Sequence, residues 1–391
     1  MIEKIINNTE KIYEKDATVI DFEATVIGCS ENNGAFRVIL DKTAFFPTGG
    51  GQSCDTGSIE NSRVSDVFIE NGKIIHITDK PLDIGQRVKC NIDANERYEK
   101  MRSHTAEHIL SSYIFKTFGF KNVGFHLGSV DTTCDFDGWL SSDMLSSAEA
   151  YVNRVIMENH EVYPMFPQEN ELSELSYRSK LDLEGEIRIV CIGNNGEIDL
   201  CACCAPHVKR TGQIGYFKIV DAYSYKGGMR IHILAGEKAV SRAKSEHNGI
   251  KAISELLSAK PYASDVISAV ERVMNELAEV KNELNNTRTA LSFSYCIGVK
   301  KDEGFAVHID KPDGDLVKKI AICAKNRGAS TAFAVGGEGD VRFAIVGERA
   351  FDIFSALKTR FSARGGGKDV ICGSFSYDGE FLAEDFLKEH V

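Results

Sequence analysis

Four residues with metal-binding side chains occur in two pairs that share one spacing. His104 and His108 stand four apart in SHTAEHIL, and Cys203 and His207 stand four apart in CACCAPHV. Residues four apart on a helix project from nearly the same face, so the two histidines of the first pair can reach one ion. The second pair completes a set of three imidazoles and one thiolate. This mixture suits Zn²⁺ best, and the sequence therefore predicts a zinc site.

Neighbouring thiols leave the choice of sulfur ligand open. Cys201 and Cys204 belong to the same CxCC run as Cys203, and a structural metal site could use any of the three. Free cysteines also occur often as small buried apolar residues, which is the competing interpretation for Cys201 and Cys204.

The first pair also permits a peptidase interpretation. HTAEH matches HxxEH, the inverted metallopeptidase motif in which Glu107 would act as the general base. Such peptidases need a distal carboxylate ligand, whereas the second half of this site consists of Cys and His. We therefore rank a peptidase below a hydrolase of another class.

A glycine-rich run, PTGGGQ, forms a second candidate for chemistry. Gly49, Gly50 and Gly51 allow positive φ and close approach of the backbone to a ligand, and Gln52 offers both a donor and an acceptor. The alternative for such a run is a simple hairpin turn.

The strands and helices that the sequence predicts around these residues indicate an α+β protein. Short β-rich runs from about residue 17 to residue 95 are typical of a small antiparallel barrel. A helical period begins near Asp93 and carries Met101, Ile109 and Leu110 on one side. A second helix is expected in SSAEAYVNRVIMENH, with Ser-Ser-Ala-Glu as the start of a capping box.

In the C-terminal half, the pattern of the sequence predicts a long helix followed by a separate α/β domain. Apolar residues near the end of the helix alternate steps of four and three, as in a coiled-coil seam. These positions are Val266, Val270, Val273, Leu277, Val280, Leu284, Thr287 and Leu291, where Thr287 is polar. A helix packed on its own domain fits the same pattern. We expect boundaries at 1–95 (barrel-like), 96–240 (zinc-binding), 241–295 (helical) and 296–391 (α/β).

Composition excludes several classes of protein. The chain has 391 residues, a formal net charge of −11 and 11 cysteines. This charge argues against a nonspecific polyanion binder, which needs a cationic surface. The cysteine density is too low for a disulfide-stapled secreted domain, and no secretory or membrane-spanning apolar run occurs. A cytoplasmic, multidomain protein without membrane contact is expected.

Three motifs together resemble a known family. FFPTGGGQSCDTG, SHTAEHIL and DLCACCAPHVKRTGQIG occur in the order and spacing of the alanyl-tRNA editing proteins (AlaX type, long form), which are related to the editing domain of alanyl-tRNA synthetase. The terminal SARGGGKDVICG resembles the DHH-associated C-terminal region of the same family. This chain departs from the family's CGGTH by placing Cys204, Ala205 and Pro206 between the second pair of ligands, so any contact of the family threonine is lost.

The resemblance implies a free-standing aminoacyl-tRNA deacylase that lacks the ATP-binding aminoacylation domain. Its expected substrate is tRNA(Ala) mischarged with serine, with glycine as a second candidate. The residues expected to act at this site are Thr48, Gly50, Gly51 and Gln52, with Thr48 sensing the serine hydroxyl. The zinc ligands carried over are His104, His108, Cys203 and His207.

The resemblance also implies contacts with tRNA and a homodimer formed through the coiled coil and the C-terminal domain. Residues expected to contact tRNA are Lys209, Arg210, Arg364, Gly366, Gly367 and Lys368. The nonenzymatic alternative is a zinc-stabilised RNA-binding dimer without turnover.

Overall fold

A computed structural model describes residues 9–128, 131–172, 174–179, 187–311, 313–378 and 381–390. These residues form two compact units, Met1–Gly249 and Ile250–Val391. Helices and sheets occur in both units, which confirms the prediction of a mixed helix-and-sheet protein. None of the helices in the described part of the chain is both long and apolar enough to cross a bilayer.

The first unit begins with a closed antiparallel barrel. Its elements are β1 (Glu10–Lys11), α1 (Ile12–Lys15), β2 (Asp21–Asn32), β3 (Ala35–Leu40), β4 (Lys42–Thr43), β5 (Gly57–Ile59), β6 (Ser62–Glu70), β7 (Lys73–Thr78) and β8 (Arg87–Ile92). Six strands close the barrel in the order β2-β3-β7-β6-β5-β8. Inward side chains such as Val38, Leu40 and Ile59 are completely buried, as strand alternation requires.

A neutral histidine in the barrel core makes the unit sensitive to acid. His76 Nδ1 donates to Val38 O (3.1 Å), and Thr43 Oγ1 lies 2.9 Å from His76 Nε2. Burial lowers the pKa of His76 to about 4, from an ordinary value of 6.5. Between these two pH values the unfolded chain binds a proton that the folded barrel does not bind. Stability should therefore fall by about 3 kcal/mol as the pH drops through this window.

The measurement for His76 is denaturant unfolding of the wild type and His76→Asn at a series of pH values from 7 to 4. In His76→Asn, the decrease in the free energy of unfolding that His76 causes between pH 6.5 and pH 4 should be absent. Equal pH dependence in the two proteins would contradict the assignment.

The rest of the first unit packs helices on antiparallel sheets. Its elements are α2 (Ala94–Phe118), β9 (Asn122–Leu127), β10 (Thr132–Phe136), α3 (Ser142–Glu158), β11 (Val162–Met165), α4 (Glu169–Leu172), β12 (Ile189–Ile192), β13 (Asp199–Ala202), β14 (Phe217–Tyr225), β15 (Gly228–Ala235) and the part of α5 (Gly236–Leu256) up to Gly249. The sheets have the orders β14-β15-β10-β9 and β11-β12-β13. Helix α2 begins at the N-cap Asp93, and its Met101, Ile109 and Leu110 are completely buried.

The predicted start of the second helix is wrong. Helix α3 begins at Ser142, and its N-cap is Ser141, whose side chain accepts from Met144 N at 3.3 Å. Glu149, assigned to the capping box from the sequence, lies inside the helix. Its carboxylate accepts from Ile219 N (2.7 Å) in β14, a tertiary contact that a local pattern does not show.

The second unit contains a long helix and a five-stranded sheet. Its elements are α6 (Ala263–Tyr295), β16 (Gly304–Ile309), α7 (Gly314–Asn326), β17 (Thr331–Gly336), β18 (Gly339–Gly347), α8 (Ala350–Phe361), β19 (Arg364–Gly366), β20 (Ile371–Tyr377) and α9 (Ala383–His390). The sheet order is β16-β17-β18-β20-β19. Seam residues of α6, among them Val270, Leu277 and Val280, are exposed in the single chain.

Candidate metal centre and active site

Helix α2 and the loop after β13 bring four metal-binding side chains together. His104 and His108 lie one helical turn apart on α2 and are almost fully buried, as is His207. Together with Cys203 they each offer one ligand atom, and these atoms all lie within 4.8 Å of one another. The two pairs predicted from the sequence thus meet in one cluster.

Two separations within the cluster are those of a tetrahedral metal site. Cys203 Sγ lies 3.6 Å from His104 Nε2 and 3.5 Å from His207 Nε2. Ligand bonds of about 2.3 Å to sulfur and about 2.05 Å to nitrogen, at tetrahedral angles, require a sulfur–nitrogen separation of about 3.5 Å. The cluster is therefore able to bind a metal, and the donor atoms of Cys203, His104 and His207 need little movement to do so.

A second layer of side chains orients each imidazole. Every histidine of the cluster uses Nδ1 for a hydrogen bond, which leaves Nε2 for the metal. The pairs are His104 with Gln52 Oε1 (2.9 Å), His108 with Asp199 Oδ2 (3.1 Å) and His207 with Thr105 Oγ1 (3.1 Å). Because Thr105 donates its proton to Met101 O (2.8 Å), its oxygen accepts from His207. Such partners fix the tautomer and raise ligand basicity.

The local charges favour a thiolate at Cys203. Burial by itself raises the pKa of this thiol, but the adjacent His104 and hydrogen bonds from the histidines hold it well below its usual range. Arg188 shapes the same loop, since its guanidinium donates to Cys203 O (2.6 Å) and Ala205 O (3.1 Å). A thiolate is the form of cysteine that binds metal.

Asp199 is the most important residue of the site that we did not identify from the sequence. Arg178 Nε and Nη2 each donate to its carboxylate at 2.8 Å, and His108 shares one of its oxygens. Cys201 lies near Asp199 and His108, and burial raises the pKa of its thiol, which favours the neutral thiol over the thiolate. The one signal in the sequence was a single carboxylate between Ile198 and Leu200, in a short apolar strand.

Asp199→Asn should weaken metal binding by about tenfold to a hundredfold, because His108 loses an anionic partner that supports its basicity. Competition with a chromogenic chelator at fixed pH measures this change. The matched control is Asp135→Asn, which removes the carboxylate of another Asp–Arg pair, with Arg230 (2.6 Å), outside the donor cluster. Wild-type metal affinity in Asp199→Asn would refute the role.

The glycine-rich run forms a tight loop against the cluster. Gly49 and Gln52 exchange two backbone hydrogen bonds of 3.0 Å, with Gly50 at φ +60° and Gly51 at φ +81°. Gln52 is buried, and its Oε1 accepts from His104. Its Nε2 has no hydrogen-bond partner among the described residues. A buried amide donor of this kind is costly unless a ligand engages it.

Gly51→Ala should displace the loop, whereas Gly50→Ala should not. A Cβ at Gly51 would lie 2.3 Å from Phe125 O, but a Cβ at Gly50 meets nothing within 4 Å. Both substitutions cost about 1 kcal/mol because alanine is strained at positive φ. A difference between the two variants therefore reports the steric clash with Phe125 O alone. We expect at least a tenfold larger loss, in Gly51→Ala, of the aminoacyl-tRNA deacylation that the family resemblance implies, measured as kcat/KM. Equal losses would show that the contact with Phe125 is unimportant.

A cavity of about 380 Å³ adjoins the cluster. Its wall includes Thr48, Gly49 and Gly50 from the loop and His104, His108 and Cys203 from the cluster. Thr48 Oγ1 accepts from Cys54 N (3.0 Å), which leaves its own proton for another acceptor. The rest of the lining is largely apolar but also includes the charged side chains of Lys11 and Glu14. A small polar group bound here would lie beside both the metal-binding residues and the loop.

Other residues predicted to function lie outside this cavity. Lys209 and Arg210 are exposed and form ion pairs with Asp16 (3.0 Å) and Glu161 (3.3 Å). Arg364 and Gly366 lie in strand β19 of the second unit, and Gly367 and Lys368 follow it; all four are exposed. Contact of these residues with RNA stays a prediction.

The sequence matches two family models and many curated proteins. The model described as threonyl and alanyl tRNA synthetase second additional domain matches residues 187–238, and the model for class II (A) tRNA synthetases matches residues 4–96. The alanyl-tRNA editing protein AlaX-L of Pyrococcus horikoshii is 28% identical over 82% of this chain and 87% of its own length.

Alanine–tRNA ligases are similar over nearly the whole chain. The ligase of Ignicoccus hospitalis is 29% identical over 94% of this chain and 41% of its own length, and that of Archaeoglobus fulgidus is 28% identical over 98% and 44%. The chain thus spans less than half the length of these ligases. The matches to these ligases and to AlaX-L include both segments that build the metal-binding cluster, so the chain is similar to alanyl-tRNA synthetase-related proteins at its candidate site.

Proposed function

We propose that this protein is a zinc-containing aminoacyl-tRNA deacylase that hydrolyses the ester of tRNA(Ala) mischarged with serine, with glycine as a second candidate. The observation that supports this most is one cavity lined both by the glycine loop and by three of the four donors, His104, His108 and Cys203. The separations of the donors fit Zn²⁺, and the similar AlaX-L is named an alanyl-tRNA editing protein.

The chemistry of the substrate explains why such a site is needed. An apolar synthetase pocket for alanine rejects serine poorly, since the two differ by one hydroxyl group. Here the Thr48 hydroxyl lines the cavity and offers a polar partner to the bound ester. We assign Thr48 to the serine hydroxyl, and Thr48→Val should reduce the preference for seryl over alanyl ester.

The chain's own residues position the ester for attack by water. Zinc, when bound, supplies positive charge beside the ester carbonyl. Gln52 holds His104 through Oε1 and so fixes the orientation of that imidazole beside the cavity. Gly50 and Gly51 allow the loop backbone to pass close to the reacting group. The apolar walls of the cavity limit the access of bulk water.

The peptidase alternative has less support. Glu107 is completely buried, and its Oε1 accepts from Ser111 Oγ and Asn122 Nδ2, each at 2.6 Å. Glu107 is not among the described residues that line the cavity. A general base must reach the attacking water; Glu107 Oε1 is held in a core network, and Oε2 lies 4.0 Å from His108 Nε2.

The tRNA and a second copy of the chain are the proposed partners. We assign the DHH-associated region, 296–391, with Arg364 and Lys368, to tRNA binding. The exposed seam of α6, including Leu277 and Val280, is assigned to a homodimer. Sedimentation of the full chain at micromolar concentration should show a dimer. A monomer under these conditions would exclude that assignment.

The direct test is release of serine from seryl-tRNA(Ala), with alanyl-tRNA(Ala) as control, before and after zinc is removed by a chelator. Selective, metal-dependent release of serine is expected. Absence of release from zinc-loaded protein that still binds tRNA would instead favour the RNA-binding dimer without turnover.

A further inference from the structure

The cavity beside the donor cluster has a second polar wall that the proposed chemistry has not used. Helix α1 and the residue before it contribute Lys11, Tyr13 and Glu14 to this wall. The same cavity is lined by His104, His108 and Cys203. A cavity of about 380 Å³ is small enough that a ligand at the cluster also lies near α1.

Glu14 supplies the carboxylate of this wall. Among the described residues that line the cavity, the other charged side chains apart from the donor cluster are Lys11 and Arg188. Glu14 Oε1 accepts from Lys11 Nζ at 2.9 Å, and the two side chains are 21% and 43% exposed. Arg188 is committed to the backbone, since it donates to the carbonyls of Glu14 (2.9 Å) and Cys203 (2.6 Å).

An exposed ion pair of this kind is easily exchanged. Pairs between partly exposed side chains contribute about 0–1 kcal/mol, so a ligand that brings its own cation can replace Lys11 at little cost. Lys11 then moves into solvent. Glu14 keeps its charge paired and is half-buried within the cavity, where its hydrogen bonds are stronger than at the surface.

The substrate of a deacylase carries such a cation. An aminoacyl ester has a free α-amino group one carbon from the reacting carbonyl, and α-amino groups are largely protonated near neutral pH. A Zn²⁺ ion with one thiolate ligand retains net positive charge and repels an ammonium group. Without an anion nearby, binding would require the amino group to lose its proton first.

We propose that Glu14 is a specificity-determining residue that binds the α-ammonium group of the aminoacyl ester in place of Lys11. This inference rests on the proposed deacylase function and extends it. The enzyme accepts esters with a free amino group and discriminates against N-acylated esters. Peptidyl-tRNA belongs to the second class of ester and is therefore spared.

Binding of a stable analogue tests this proposal without turnover. The probe is 3′-deoxy-3′-(L-seryl)aminoadenosine, in which an amide replaces the ester, compared with its N-acetyl derivative by calorimetry on zinc-loaded full-length protein. A charge-assisted hydrogen bond predicts that the wild type prefers the free-amino probe by about tenfold to a hundredfold. Glu14→Gln should remove most of this preference by weakening the free-amino probe alone.

The matched control is Glu10→Gln. Glu10 lies on the adjoining strand and pairs with Lys15 (3.0 Å), but is not among the residues that line the cavity. This variant should keep the wild-type preference, and zinc content and thermal unfolding should be equal in all three proteins. No preference in the wild type, or an undiminished preference in Glu14→Gln, would overturn the proposal.

Measurements of turnover distinguish a failure of this inference from a failure of the proposed function. With seryl-tRNA(Ala), Glu14→Gln should lower kcat/KM by the same factor, whereas N-acetylseryl-tRNA(Ala) should be cleaved equally slowly by both proteins. A wild type that prefers the free-amino probe but cleaves neither ester refutes the deacylase and retains the Glu14 subsite. A wild type that cleaves seryl-tRNA(Ala), together with a Glu14→Gln variant that matches it, refutes only the subsite.

Discussion

Cys203→Ala should lose the bound zinc and, with it, nearly all release of serine from seryl-tRNA(Ala). Cys203 supplies the sulfur donor of the cluster, and its thiolate offsets part of the charge of the ion. Three imidazoles alone bind Zn²⁺ with less charge compensation. Because a metal ion contributes several kcal/mol to stabilising developing charge, we expect a loss of roughly a thousandfold or more in kcat/KM.

The measurement combines zinc per chain, by atomic absorption, with the rate of serine release. Cys204→Ala is the control, since this neighbouring thiol is exposed and lies outside the donor cluster. It should retain one zinc per chain. A folded Cys203→Ala protein with wild-type zinc content and wild-type serine release would show that Cys203 is not a needed metal ligand.

Arg97→Ala should destabilise the first unit by about 3–5 kcal/mol, the largest effect on stability that we expect from one substitution. Arg97 and Asp55 are buried and form an ion pair, with Arg97 Nε 3.0 Å from Asp55 Oδ1. Arg97 also donates to Ala17 O (2.7 Å), so it joins α2 to two segments of the barrel. Removing one partner leaves a buried, unpaired carboxylate, which is the source of the cost.

Urea unfolding followed by circular dichroism measures this change. The control is Arg87→Ala, which breaks an exposed pair with Glu23 (2.6 Å) and should cost no more than about 1 kcal/mol. Similar values for the two variants would mean that the buried pair does not hold the barrel to α2. Loss of the Arg97–Asp55 ion pair should also increase proteolysis near Gln52, whose loop precedes Asp55.

Local pattern was sufficient for the parts of the site that lie on one element. The spacing of His104 and His108 follows from the helical period, and the apolar positions of α2 confirm that helix. The same kind of reasoning placed the start of α3 wrongly. Glu149 does not form a capping box, because its carboxylate accepts a hydrogen bond from the backbone of β14. Patterns of three or four residues carry no information about such a partner.

By itself, the sequence determined which residue types were available for metal binding, the helix that presents two of them, and the glycines that permit positive φ in the loop. Only the tertiary structure decided that Asp199 orients His108 and that Gln52 orients His104. It also decided that Glu14 lines the same cavity as the two histidines. Asp199 and His108 are 91 residues apart, and Gln52 and His104 are 52 apart. Periodicity reports the face of one element, whereas these contacts arise when separate elements pack and exclude water from their polar groups.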